Sequence, residues 1–139
     1  MREIKFRSYT VNANGTIINR MDYISNQTIF GWEASGIGMH IMQFTGLKDK
    51  NGVDIYEGDI VKILYNQNSE NYSGNNFNYT EHTCIVEFSD YSSSFVLRNV
   101  TEKYKGKHNF TTIKFDHRRL SKDRIEIIGN IHENPELLK

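Results

Sequence analysis

The sequence predicts a mainly β protein: a small rolled sheet or SH3-like barrel of about five strands, with an N-terminal β-hairpin extension and a short C-terminal helical turn. Three observations predict this. Short apolar runs alternate with polar residues at a period of two, as in Val61, Ile63 and Tyr65 on one face with Lys62 on the other. Turn signals separate the runs, at Asn14-Gly15, Asn51-Gly52 and Glu57-Gly58-Asp59. Eight Phe, eight Tyr and one Trp can bury large areas without a helical, leucine-rich core.

Ile4-Lys5-Phe6-Arg7-Ser8-Tyr9 alternates as a half-buried strand, Asn12-Ala13-Asn14-Gly15 supplies a hairpin turn, and Thr16-Ile17-Ile18 reads as the returning strand. Residues 1–40 are therefore expected to be an N-terminal β-hairpin extension, with bends at Gly31 and at Gly36-Ile37-Gly38. Residues 41–139 are expected to form the barrel-like domain. Its strands are Ile41–Phe44, Ile60–Tyr65, Cys84–Phe88, Ser94–Arg98, Phe110–Phe115 and Arg124–Ile131. Glu57-Gly58-Asp59 ahead of a β-branched strand is similar to the approach to the second strand of SH3-like barrels, by analogy.

Residues 66–80 carry six Asn and no aliphatic residue, which predicts a long loop. Ser89-Asp90-Tyr91-Ser92-Ser93 predicts a hairpin loop. At the end, Asn134 suits an N-cap, Pro135 the first helical position and Glu136 the first turn. The expected core is Val61, Ile63, Val86, Phe88, Ile125 and Ile127, with Gly52 and Gly58 at turns that a Cβ would strain.

A chain of 139 residues fits one domain, and a chain near ~150 residues can remove about 70% of its unfolded surface from water. The single cysteine, Cys84, leaves no intrachain disulfide and no cysteine-based zinc site, which fits a reducing cytosol. No signal peptide is visible, and no apolar run approaches the ~20 residues of a membrane span. A cytoplasmic protein of a bacterial cell, with no membrane contact, is expected.

The start Met1-Arg2-Glu3-Ile4-Lys5-Phe6-Arg7 resembles the YopX family, as do the stretch from Gln43 through Glu57-Gly58-Asp59 to Ile63 and the end Ile128-Gly129-Asn130-Ile131-His132-Glu133-Asn134-Pro135-Glu136-Leu137-Leu138. These are small proteins encoded by bacteriophages and prophages, mostly of low-GC Gram-positive bacteria. The resemblance runs end to end and is weakest in the middle. It implies a phage-encoded setting and brings no established activity with it.

The residues point to no cofactor and no metal. Glu57 and Asp59 could share a proton or hold a cation, but carboxylates flanking a turn glycine more often serve local hydrogen bonding. His40, His82, His108, His117 and His132 show no spacing typical of metal ligands. No nucleophile-elbow pattern is present, and Gly36-Ile37-Gly38 lacks the third glycine of a phosphate-binding fingerprint. The chain is expected not to be an enzyme.

Two segments are candidates for contact. Tyr72, Phe77 and Tyr79, interleaved with Asn and Ser, have the composition of an adaptable protein-binding loop. Arg98 to Arg124 holds nine basic residues against Glu102, Asp116 and Asp123, a net +6 in a chain whose total is zero. Within it Lys103, Lys105, Lys107, Arg118 and Arg119 could track a phosphate backbone, or could be a solvated face that guards a sheet edge. The sequence thus favours a non-enzymatic binding module for a host or phage protein, with self-association as a further expectation. The alternatives are a nucleic-acid-binding accessory protein using residues 98–124, and last a carboxylate- or metal-dependent enzyme centred on Glu57 and Asp59.

Overall fold

The computed structural model of the 139-residue chain describes residues 3–11, 20–24, 38–66, 79–101, 112–115 and 120–139. Within them lie nine strands: β1 (Phe6–Val11), β2 (Arg20–Ile24), β3 (Gly38–Lys48), β4 (Asp54–Tyr56), β5 (Asp59–Asn66), β6 (Tyr79–Ser89), β7 (Ser94–Asn99), β8 (Thr112–Lys114) and β9 (Ile125–Asn130). They build two antiparallel sheets, a four-stranded one in the order β2-β1-β3-β4 and a five-stranded one in the order β8-β7-β6-β5-β9, curled into a half-barrel. No helix among the described residues is long and apolar enough to cross a membrane.

The alternation of the sequence sets the register. Val61 pairs with Cys84 and Val86 with Leu97, so these side chains share the concave face of the curl. With Ile55, Ile63, Ile113, Leu120 and Ile125 they form one fully buried cluster, against which Leu47, Tyr65, Phe115 and Ile127 pack. Ile60 and Ile85, paired with each other, fall on the opposite face and are also buried. His82 is fully buried but has partners on both ring nitrogens, Asn99 Nδ2 at 2.9 Å from Nδ1 and the Thr80 hydroxyl at 2.8 Å from Nε2.

Two turns stitch the sheets together. At the Asp49–Gly52 turn the buried Asp49 carboxylate accepts the N–H groups of Asn51, Val53 and Ile127, and the Lys50 N–H donates to the Ile125 carbonyl. This covers the outer edge of β9, which would otherwise be free to pair. At the Glu57–Gly58 turn, Gly58 donates its N–H to Val86 and accepts from Ile131, while the Glu57 N–H donates to Gln43.

The strands differ from the sequence reading in particular places. The strand paired with β1 on the hairpin side is Arg20–Ile24, while residues 16–18 lie outside the described residues. Strand β1 also pairs with β3 along its whole length. Strand β3 is longer than Ile41–Phe44, and β4 has no counterpart in the reading: three residues give too little alternation to register. Phe88 is not core but 45% exposed, because the concave face runs past the end of the apolar cluster there. The C-terminal turn, Pro135–Leu138, is 3-10 in form, and Asn134 at its N-cap makes no capping bond. Its side-chain oxygen accepts the Asn130 N–H at 3.2 Å instead. Of the loop expected over 66–80, Asn66 and Tyr79-Thr80 belong to strands, and residues 67–78 lie outside the described residues.

Gly52 and Gly58 both have positive φ, 81° and 80°. A Cβ at Gly52 would meet open space, whereas one at Gly58 would lie 3.2 Å from Met42 Sδ and 3.5 Å from Ile131. Gly52→Ala should therefore lower unfolding free energy by about 1 kcal/mol from backbone strain alone. Gly58→Ala should cost about 2 kcal/mol, because Met42 must also give way. Urea midpoints of the two variants measure the difference, and equal midpoints would refute the close approach at Gly58.

Candidate functional site

The junction of the two sheets is organised around a buried ion pair. Arg7 on β1 and Asp59 at the start of β5 are 6% and 1% exposed, and Arg7 Nη2 lies 2.6 Å from Asp59 Oδ1. The same nitrogen lies 3.3 Å from the Glu57 carbonyl oxygen, and the guanidinium sits 4.8 Å from the centre of the Tyr56 ring. The other carboxylate oxygen accepts the Tyr56 N–H at 2.8 Å. Burial pushes the Asp59 carboxyl above its ordinary range, opposed by the Arg7 guanidinium and the Tyr56 N–H.

Glu57 meets that pair through its carbonyl oxygen. It lines an open cleft of about 530 Å³ together with His40 and Met42 of β3, Ile85 to Phe88 of β6, Arg98 of β7, and Ile131 and His132 beyond β9. Two of its lining rings belong to a three-ring stack: His132 lies with its centroid 4.7 Å from Tyr9 and 4.7 Å from His40. An Arg98–Glu87 ion pair at 2.7 Å also borders the cleft. The turn thus gives its two acids different surroundings, Asp59 buried in the ion pair and Glu57 half-buried at the cleft. Among the described residues no group of three or more His, Cys, Asp or Glu is arranged to hold a metal. Cys84, buried in the core, has its thiol pushed up to about 12 by desolvation, too high for a thiolate nucleophile near neutrality.

Phe88 closes one end of this cleft and also borders a second, of about 610 Å³, lined by Thr45 to Leu47, Ser93 to Phe95, Lys114 and Phe115. Phe88 packs edge-on against Phe95 at 5.4 Å, so it stands as a ridge between two open concavities. Beyond it, at the hairpin tip, Tyr91 is completely exposed.

The sequence-predicted contact residues fall differently. Lys103, Lys105, Lys107, Arg118, Arg119, Tyr72 and Phe77 lie outside the described residues. Tyr79 is described: it opens β6, half-exposed, with the Arg124 guanidinium 3.9 Å from its ring centre. That contact engages its face in a cation–π interaction. Sequence reasoning missed the Tyr9–His132–His40 stack, whose members are far apart in the chain. It also missed Phe88 and Tyr91 as surface groups, although an aromatic residue in a Ser-rich hairpin loop is a signal that could have found Tyr91.

His132 carries a pH prediction. Burial, then the neighbouring His40 and Arg7, lower its pKa, and Glu133 only partly opposes them. The unfolded chain, with an imidazole near ~6.5, therefore takes up this proton more readily than the folded one. The contribution of His132 to stability is full at neutral pH and is lost as pH falls below about 6.5. A His132→Phe variant, which keeps a ring against Tyr9, should lose less melting temperature between pH 7 and pH 5 than the parent chain. Identical losses would contradict the burial of this imidazole.

Comparisons with known proteins bear on the whole chain. No curated protein matches it. The crystal structure of protein EF1440 from Enterococcus faecalis is similar over 100% of both chains, at 26% sequence identity and a TM-score of 0.52. The family described as YopX protein matches residues 1–139, and the chain belongs to the YopX family.

Proposed function

We propose that the chain is a phage- or prophage-encoded, non-enzymatic binding module that contacts a host or phage protein inside the bacterial cell. The contact face is the β6–β7 hairpin and the two clefts on either side of Phe88. The observation that carries this reading is Phe88 itself, a large aromatic residue 45% exposed between two concavities, with the bare ring of Tyr91 one turn further out. Aromatic side chains beside open pockets are the groups that anchor protein interfaces, because they bury large area at low cost in rotamer entropy.

The ion pairs of the described surface favour a protein over a nucleic acid where they lie. Lys5 and Lys48 pair with Asp54, Lys50 with Glu126, Lys62 with Glu81, and Arg98 with Glu87. Cations already held by carboxylates are poor at tracking phosphates, since each contact must first break an ion pair. The nucleic-acid alternative rests on Lys103, Lys105, Lys107, Arg118 and Arg119.

Affinity capture of the tagged chain from host lysate, with and without nuclease, tests the reading. A discrete protein should survive nuclease and be lost with Phe88→Ala and with Tyr91→Ser, while circular dichroism shows both variants folded. Recovery of nucleic acid only, or capture indifferent to both substitutions, overturns it.

A further inference from the structure

Residues 131–139 follow β9 and meet the two sheets at few points. The Ile131 N–H donates to the Gly58 carbonyl at 2.9 Å. Beyond it, every hydrogen bond that residues 132–139 make among the described residues stays within 130–139. Asn130 Oδ1 accepts the N–H groups of His132 and Glu133, and the Asn130 carbonyl accepts that of Asn134. The Leu137 and Lys139 N–H groups donate to the carbonyls of Asn134 and Glu136. No residue of Pro135–Leu138 is buried. Among the described residues, the polar and ring contacts of residues 132–139 with the four-stranded sheet reduce to one side chain. The His132 ring stacks at 15° to Tyr9 of β1 and at 29° to His40 of β3.

A segment pinned by an imidazole can be released by a proton. The charged and titratable groups around His132 are Arg7 and Tyr9 on β1, His40 on β3 and the adjacent Glu133. Glu57, Glu87 and Arg98 line the same cleft, the last two paired with each other. Glu133 is engaged by Asn130 Nδ2 at 2.6 Å. Glu133 and the face of the Tyr9 ring favour a cation at His132. Burial, His40 and Arg7 disfavour it, and the balance lowers its pKa.

We propose that residues 131–139 form an acid-sensitive latch on the first cleft. With His132 neutral the segment is pinned against Tyr9 and His40; with His132 protonated it swings away about Asn130 and widens the cleft. Ile131 and His132 line that cleft together with Met42 and Ile85, which are only 3% and 4% exposed in the pinned form. In the released segment the imidazole is solvated and titrates near ~6.5. The pinned form is therefore fully favoured above that pH and loses ground below it. One proton limits the change in the ratio of the two forms to about tenfold per pH unit. The latch goes beyond the binding-module reading and does not depend on it.

Amide exchange of the full chain, read residue by residue by NMR at pH 7 and pH 5 and corrected for intrinsic rates, tests the latch. Protection of the Ile131 N–H should fall several-fold from pH 7 to pH 5, and by no more than about 30-fold. It should stay below that of the β5 and β6 amides at both pH values, because the latch opens without unfolding the sheets. His132→Phe, which keeps a ring in the stack, should remove the pH dependence. His132→Ala, which removes the ring, should leave Ile131 poorly protected at both pH values. Equal Ile131 protection at pH 7 and pH 5 in the parent chain overturns the proposal. So does protection equal to that of the β5 and β6 amides, which would mean release only by global unfolding. A fall that persists in His132→Phe, or a His132→Ala variant as protected at pH 7 as the parent, overturns it as well.

Discussion

The contact between Arg7 and Asp59 joins a strand of one sheet to the first residue of a strand in the other, and the geometry around it follows. A buried guanidinium and a buried carboxylate at 2.6 Å are expensive to desolvate, so the arrangement is tolerable only with partners on the remaining groups. The Tyr56 N–H and the Glu57 carbonyl supply two of them. Arg7 Nε and the Ser8 hydroxyl stay buried without a partner among the described residues, which adds to the cost. A pair of this kind is a poor source of net stability but a strict selector of arrangement. Any other packing of β1 against the β4–β5 turn would strand one of the two charges.

That selection positions the surface features. Once Arg7 is fixed under the Glu57–Gly58 turn, Gly58 is clamped between the β6 and β9 sides, and Met42 closes over it. Tyr9, two residues along β1 and on the same face as Arg7, is brought to His132, and His132 to His40. The first cleft is the space left between this stack and the β6–β7 strands. The second is the unfilled end of the curl beyond Phe88. Between them run β6 and β7, two inner strands of the five-stranded sheet, and the loop that joins them leaves the Tyr91 ring bare.

The sequence made the local pattern legible and left the long-range pairing hidden. Val61, Ile63, Val86 and Ile125 could be assigned to the core because period-two alternation holds through β5, β6 and β9, and the structure buries all four. Phe88 obeys the same alternation and still emerges, because alternation gives the face and not where the core under that face ends. Asp59 read as a local turn acceptor, and it does accept the Tyr56 N–H. Its ion-pair partner lies 52 residues away, beyond the reach of pattern. The same limit hid the three-ring stack, drawn from β1, β3 and the residues after β9.

A double-mutant cycle on Arg7→Met and Asp59→Asn tests the central claim most directly, with Asn retaining an acceptor for the Tyr56 N–H. If the pair fixes the sheet junction, Arg7→Met alone should cost about 3–5 kcal/mol by leaving a buried carboxylate uncompensated. The double variant should then be more stable than the sum of the single losses predicts, by more than about 1 kcal/mol. Additive losses, or an Arg7→Met variant that unfolds at the parent urea midpoint, would contradict the account.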